Sequence, residues 1–224
     1  KNGVLIKNAR ALEEMNKIDV LIIDKTGTIT EGKPSVEKVV SVSSEYSEKE
    51  LTRLIASVNA QSEHPLANAT VNYAKAEKIK YGEASEFNSV TGKGVTANFE
   101  GKQLALGNEK LMQAKNAEIS EEINNQVTAE QEKGKTVSYL AIDSIIVGFV
   151  TISDKIKKTS REALFELQNE GIKVIMLTGD NEKTASAVAK ELNLADFKAG
   201  MIPQNKMEEV KKLQAEGKKV AMAG

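Results

Sequence analysis

The sequence predicts an α/β protein in which a doubly wound parallel sheet is interrupted by an α+β insert, and three observations predict it. Val20-Leu21-Ile22-Ile23 before Asp24, Val174-Ile175-Met176-Leu177 before Thr178, and Val220-Ala221-Met222-Ala223 before Gly224 are short continuous apolar runs ending in small or polar residues. Runs of that length suit strands covered on both faces. In the C-terminal third these runs alternate with segments whose apolar residues recur at helical spacing, the strand-helix-strand rhythm of a parallel sheet. The middle of the chain instead carries short alternating runs punctuated by glycine.

Taken in order, the first strand covers 20–23 and opens into a loop at Asp24. After Gly32-Lys33-Pro34 the spacing predicts helices over 48–60 and 65–80, then short strands turning at Gly92, Gly94, Gly101 and Gly107. A helix over 120–133 and strands over 137–142 and 145–152 complete the insert. Ala163, Leu164 and Leu167 predict a helix over 160–169, Ala185, Val188, Ala189 and Leu192 one over 184–192, and Met207, Val210 and Leu213 one over 205–214. Gly171 and Gly217 stand where helix C-caps are expected before the following strands. Because one parallel strand precedes the insert and the others follow it, the chain crosses between domains twice, at hinges expected over 32–36 and 151–155. The expected division is 1–34 with 152–224 for the sheet domain and 35–151 for the insert. In such a sheet, ligands bind outside the carboxyl ends of the strands.

Composition narrows the chemistry. Lys and Arg number 31 against 32 Asp and Glu, a formal net charge of −1, so no basic excess points to nucleic acid or an anionic lipid surface. The absence of Cys excludes disulfides, thiolate metal sites and cysteine nucleophiles, leaving metal binding to carboxylates. No apolar run approaches the roughly 20 residues that span a bilayer. The opening Lys1-Asn2-Gly3-Val4-Leu5-Ile6-Lys7 lacks the features of a signal peptide and reads as the start of a segment cut from a longer chain.

Asp24, followed by Lys25, Thr26, Gly27 and Thr28, is the most informative feature. A carboxylate at the end of a buried strand can attack phosphorus while lysine, hydroxyls and loop N–H groups hold the oxygens of the transferred group. Alone, an Asp there also reads as the start of a turn. Thr178 and Gly179 offer a hydroxyl and an approachable N–H at a second strand end, with Asp180 and Asn181 next to them, and Lys206 follows Pro203 at a helix entry. Each has a plain alternative, an N-cap for the Asp or Asn and a solvated surface position for the lysine. Their joint placement is what points to phosphoryl chemistry.

These residues resemble the cytoplasmic catalytic portion of P-type ATPases, whose phosphorylation motif DKTGT stands here as Asp24 to Thr28. Thr178-Gly179-Asp180-Asn181 matches the family's TGD motif, Asp154-Lys155-Ile156-Lys157 is similar to its hinge segment, and Met201-Ile202-Pro203 through Lys206 resembles the stretch with its phosphate-binding lysine. In the insert, Ser62-Glu63-His64-Pro65-Leu66, Gly92-Lys93-Gly94-Val95 and Leu106-Gly107-Asn108 are similar to the nucleotide domain of the heavy-metal branch, the copper exporters most closely. The resemblance implies a haloacid-dehalogenase-like sheet domain and ATP as substrate, with Glu63, His64, Gly92, Gly94 and Asn108 on the nucleotide. It further implies Asp24 as phosphate acceptor and Mg2+ on the Asp24 carboxylate and the Thr26 carbonyl. Lys25, Thr26, Thr178, Gly179, Asp180 and Lys206 complete the implied centre.

The resemblance also implies a place on the cytoplasmic face of a membrane as part of a multi-pass pump, with an actuator domain and membrane helices as partners, and a segment that is monomeric when isolated. The family continues past the strand ending at Gly224 into a loop whose aspartates help to hold Mg2+. Two other classes compete. A haloacid-dehalogenase-like phosphatase places a second Asp two residues after the nucleophile, where this sequence has Thr26. A nucleotide-sensing module would bind ATP and form no phosphoenzyme.

Overall fold

The computed structural model describes residue 5 and residues 8–224. Of the opening stretch, which is expected to lack a signal peptide, residues 1–4, 6 and 7 lie outside the described residues. The chain begins with α1 (Ala9–Met15) and β1 (Val20–Asp24), then runs through β2 (Ser35–Ser41), α2 (Glu48–Asn59), α3 (Pro65–Ala76), β3 (Ser85–Val90), β4 (Gly94–Phe99) and β5 (Lys102–Gly107). It continues with α4 (Glu109–Ala114), α5 (Glu121–Gln131), β6 (Thr136–Ile142) and β7 (Ile145–Ser153). It ends with α6 (Lys158–Asn169), β8 (Lys173–Leu177), α7 (Glu182–Glu191), β9 (Asp196–Lys198), α8 (Pro203–Ala215) and β10 (Val220–Ala223).

Two sheets form. The first is parallel, in the order β10-β1-β8-β9, and draws its strands from both ends of the chain. Alternate residues of its central strands face opposite cores: Ile23, Val174 and Met176 pack with Leu164 of α6, Ala185 and Val188 of α7 and Leu192 just after it. Val20, Ile22, Ile175 and Leu177 pack with Val210 and Leu213 of α8. Covering on both faces is why these strands read as unbroken apolar runs. The second sheet is antiparallel, in the order β2-β7-β6-β5-β4-β3. One face buries Leu51, Leu54, Ile55 and Val58 of α2, and the other buries Leu111 and Met112 of α4 and Val127 of α5.

Local chemistry sets the element ends. Ser47, His64, Asn108, Ser120 and Asn181 each accept a backbone N–H in the first turn of α2, α3, α4, α5 and α7. The caps expected at Gly171 and Gly217 form, with Ile172 N donating to Leu167 O and Lys218 N to Leu213 O. The helix expected over 65–80 stops at Ala76, because Lys78 takes the left-handed conformation and Ile79 N reaches back to Ala74 O at 2.8 Å. The second boundary also shifts. Ile152 and Ser153 pair with Val36 and Ser35, and Ile152 is buried in the insert's core. Residues 152 and 153, expected in the sheet domain, therefore belong to the insert's sheet. Gly94 and Gly107, expected at turns, face each other across β4 and β5.

Gly94 has φ 142°, and a Cβ there would lie 2.3 Å from the Leu106 carbonyl oxygen and 2.6 Å from Gly107 Cα. Neither neighbour can move without breaking the β4–β5 ladder. Gly94→Ala is expected to cost about 2–4 kcal/mol in urea unfolding, against about 1 kcal/mol for Gly101→Ala, where only backbone conformation opposes a side chain. Equal losses at the two positions would show that the close approach is readily relieved.

The carboxylate of Glu130, only 7% exposed, lies 2.9 Å from Lys38 Nζ, 3.0 Å from Lys133 Nζ and 2.9 Å from Lys135 Nζ. Hydrogen bonds from Lys38 and then Lys135 outweigh burial and hold its pKa down at about 2. A carboxyl whose folded pKa lies below its unfolded value stabilises above the unfolded value and loses that contribution as pH falls toward the folded one. Glu130→Gln is therefore expected to cost about 1–2 kcal/mol at pH 6, discounted for the exposed Lys38 and Lys133, and much less near pH 2.5. A cost that did not change between those pH values would remove the ion cluster as its origin.

Candidate active site

β1 delivers Asp24 to the carboxyl edge of the parallel sheet, and β8 delivers Thr178 beside it, since Asp24 pairs in register with Leu177. After Asp24 the chain makes an irregular turn through Lys25–Ile29 that bends at Gly27, φ 79°, a conformation open to glycine at no steric cost. The turn is held from outside itself. Thr30 Oγ1 accepts from Gly27 N at 3.0 Å and donates to Asp154 Oδ2 at 2.6 Å. Lys157 Nζ donates to the carbonyls of Gly27 and Thr28 at 2.9 and 3.0 Å, and Ser160 Oγ to that of Ile29 at 2.8 Å. Asp154 Oδ1 also accepts from Lys33 N at 3.1 Å, so the two crossings between the sheets are tied to each other as well as to the loop.

Two ion pairs organise the centre. Lys206 in the first turn of α8 places Nζ 2.5 Å from Asp24 Oδ2, with the side chains 17% and 27% exposed. Lys25 Nζ lies 2.6 Å from Asp180 Oδ2, with side chains only 7% and 9% exposed. The first pair is open to an incoming phosphate and the second is sealed. Thr178 Oγ1 donates to Asp180 Oδ2 at 2.9 Å and accepts from Asp180 N at 3.1 Å. Thr136 Oγ1, from the first residue of β6, donates to Asp180 Oδ1 at 2.7 Å. Burial by itself would raise the Asp180 carboxyl, but the Lys25 charge and the hydrogen bonds from Lys25, Thr136 and Thr178 hold it below the ordinary carboxylate range. Asp180 is thus a carboxylate fully occupied by its own protein. Gly179 has a different setting, because a Cβ there would meet only Met201 O, at 3.5 Å. The fold itself does not require glycine at that strand end, which leaves its backbone open to a ligand.

The structure brings Asp24 and Lys206 together, while Lys25 and the Thr178 hydroxyl, expected at the phosphate oxygens, are turned onto Asp180. Asp24 and Thr26 offer an oxygen-only pair, a donor set suited to a hard cation that keeps several waters. Among the described residues no group of three or more His, Cys, Asp or Glu side chains is arranged to hold a metal ion.

The insert residues fall in two places. Glu63 and His64 precede α3, where His64 Nδ1 accepts from Leu66 N at 3.2 Å. That bond assigns the hydrogen to Nε2, and burial lowers the imidazole pKa, so the ring presents a neutral Nε2–H donor. Gly92 and Gly94 bracket the β3–β4 turn. Asn108 supports that turn, with Nδ2 donating to Gly92 O at 2.8 Å while Oδ1 caps α4 at Leu111 N. Asn108 thus acts on the loop, and among the described residues no hydrogen bond joins Glu63 or His64 to it. Thr30, Lys157 and Thr136 are contributors that the motifs did not single out. Lys157 alone carried a signal, through the segment beginning at Asp154.

Known proteins are similar to this chain over most of its length. The haloacid dehalogenase-like hydrolase family model matches residues 18–224. A silver-exporting P-type ATPase of Salmonella typhimurium is 42% identical over 99% of this chain and 27% of its own length, and a copper-exporting P-type ATPase of Legionella pneumophila is 40% identical over 100% and 30%. The chain thus spans less than a third of either relative. A solved catalytic domain of the CPx-ATPase CopB-B, studied for its conformational changes upon nucleotide binding, superposes with a TM-score of 0.75 at 30% identity over 98% of this chain and 76% of that one. A zinc-transporting PIB-type ATPase in its E2.Pi state gives a TM-score of 0.64 at 31% identity, over 100% of this chain and 36% of that one. Among the described residues no helix is long and apolar enough to cross a membrane. The chain belongs to the haloacid dehalogenase-like hydrolase family and is homologous, over nearly its whole length, to the catalytic portion of heavy-metal P-type ATPases.

Proposed function

We propose that this chain binds ATP through its insert and accepts the γ-phosphate on Asp24, as the catalytic portion of a copper-type heavy-metal exporting pump. The observation that carries the proposal is the half-open Asp24–Lys206 pair at the carboxyl edge of the parallel sheet. The nucleophile there is reachable and already beside a cation. An Asp24 oxygen attacks the γ-phosphorus in line, the bond from that phosphorus to the β-phosphate bridging oxygen breaks, and ADP leaves with the bonding electrons. The Lys206 ammonium passes from the carboxylate to the transferred oxygens as charge moves onto them. Mg2+, when bound, would be held by the Asp24 carboxylate and the Thr26 carbonyl and would offset phosphate charge. The sealed Lys25–Asp180 pair fixes the loop on which Asp24 sits, and the Gly179 N–H is open to a phosphate oxygen.

Persistence of the aspartyl phosphate follows from Thr26. A phosphatase needs a carboxylate near the attacking water, and a threonine there supplies no general base near neutral pH. In the full-length protein the long-lived intermediate is what an actuator domain and membrane helices would use to export an ion.

At the nucleotide end, the neutral His64 Nε2–H and Glu63 meet the adenine, and the Gly92–Gly94 turn lets backbone approach the nucleotide. His64→Ala removes a contact and a helix cap together, so His64→Asn, which keeps a cap, is the sharper variant. In an Asp24→Asn background that prevents turnover, His64→Asn is expected to weaken ATP binding about 5- to 150-fold by calorimetry, with thermal stability held. Wild-type affinity in that variant, or resonance shifts confined to Asp24 and Thr178 on ATP titration, would move the nucleotide off the insert.

A further inference from the structure

Apart from the approaches of Gly92 to Ile202 and of Lys110 to Gly200, one set of contacts between insert and sheet domain runs along α7, and a neighbouring contact reaches the phosphorylation centre. Thr184 Oγ1 donates to Lys135 O at 2.8 Å, Lys183 Nζ to Thr128 Oγ1 at 2.6 Å, and a Cβ at Gly134 would touch Val188 Cγ2 at 3.4 Å. The insert's edge at this point is stiff. The Lys135 ammonium is anchored on Glu130 and Glu37 inside the insert, while its carbonyl faces α7. The next residue, Thr136, donates to Asp180 Oδ1, and Asp180 Oδ2 takes Lys25 and Thr178.

We propose that Thr136 is a positioning residue for phosphoryl transfer: seating the insert on α7 supplies the donor to Asp180 Oδ1 and thereby sets Lys25 and Thr178 for the reaction at Asp24. The physical reason is the scarcity of donors around a buried carboxylate. With Thr136 in place, Oδ1 is satisfied from the insert. When the insert swings away, that oxygen is orphaned at a cost comparable to a lost hydrogen bond or more, and the donors left to it are Lys25 and Thr178. Their movement onto Oδ1 would draw the Lys25 backbone, adjacent to Asp24, out of register. The insert's position is thus reported to the nucleophile by one hydroxyl. This inference rests on the phosphoryl-transfer reading given above, and its test separates the two.

Thr136→Val keeps the shape and β-branching at the strand start and removes only the hydroxyl; Thr136→Ser keeps the hydroxyl. The rate of phosphate incorporation at saturating ATP is expected to fall about 10-fold in Thr136→Val and to recover in Thr136→Ser, with the ATP concentration for half-maximal rate unchanged within about twofold. In an Asp180→Asn background, Thr136→Val should have little further effect. Because the chain has no cysteine, dyes on Lys49→Cys and Glu162→Cys read insert position without turnover. Thr136→Val should broaden the distance distribution, and Thr136→Ser should leave it as in the parent. A Thr136→Val rate within twofold of wild type, an unchanged distance distribution, or a Thr136→Ser rate as low as that of Thr136→Val would each overturn the proposal. A wild-type chain that incorporates no phosphate would overturn the phosphoryl-transfer reading instead, and the distance measurement would still decide whether Thr136 holds the insert in place.

Discussion

Asp24→Asn is expected to reduce phosphate incorporation from labelled ATP by at least about 10³-fold, to the level of the assay blank, while ATP affinity stays within about twofold of wild type. Asparagine matches aspartate in shape and leaves the strand end intact, but its amide is a poor nucleophile toward phosphorus. Loss of the partner charge is tolerable for Lys206, because its side chain is 17% exposed and water can solvate the freed ammonium. The fold and the distant insert should therefore be unaffected, and unfolding midpoints should agree. In the parent protein the incorporated phosphate should survive acid quenching and be released by hydroxylamine, as an acyl phosphate is. Label retained in Asp24→Asn, or label resistant to hydroxylamine, would place the phosphate on another residue.

Much of this arrangement is legible in the sequence, and what is not has physical causes. The parallel strands declare themselves because both faces are covered, so β1 and β8 are apolar without interruption. β2 escapes notice because it is an edge strand of the second sheet with a register shift between Val36 and Lys38, which breaks the alternation of Ser35-Val36-Glu37-Lys38-Val39-Val40-Ser41. β9 is three residues long, too short to show a period. At the centre, local motifs identify Asp24, Thr178, Gly179, Asp180 and Lys206, yet a motif does not say which of its side chains face the ligand and which face each other. Lys25 and Asp180 belong to different strand ends, and only the fold reveals that they neutralise one another. Thr136 is harder still, since threonine is enriched in strands for its shape alone and nothing nearby in the sequence marks its partner.

The sealed pair gives the largest expected effect on stability. Lys25→Met should cost about 3–5 kcal/mol at pH 7, because it leaves the Asp180 carboxylate buried with hydroxyl and amide donors but no counter-charge. Asp180→Asn alone should also be destabilising, since it leaves the Lys25 ammonium, only 7% exposed, without its counter-charge. The double variant should cost less than the sum of the two, the excess being the coupling of the pair. The pH dependence identifies the cause. In the parent, Asp180 has a lowered pKa, so its contribution is present above the ordinary carboxylate value and declines as pH falls through the folded one. Without Lys25, burial dominates and the folded pKa rises above the unfolded value. Such a group stabilises below the unfolded value, and that contribution is lost as pH rises through the folded one. The two stability curves should therefore approach each other on acidification, and the deficit of Lys25→Met at pH 4 should be clearly smaller than at pH 7. Urea unfolding of the parent and the three variants at both pH values measures this. A deficit under about 1 kcal/mol at pH 7, or one of equal size at pH 4, would show that Asp180 does not depend on Lys25 for its charge and that the loop carrying Asp24 is held by Thr30, Asp154, Lys157 and Ser160 without it.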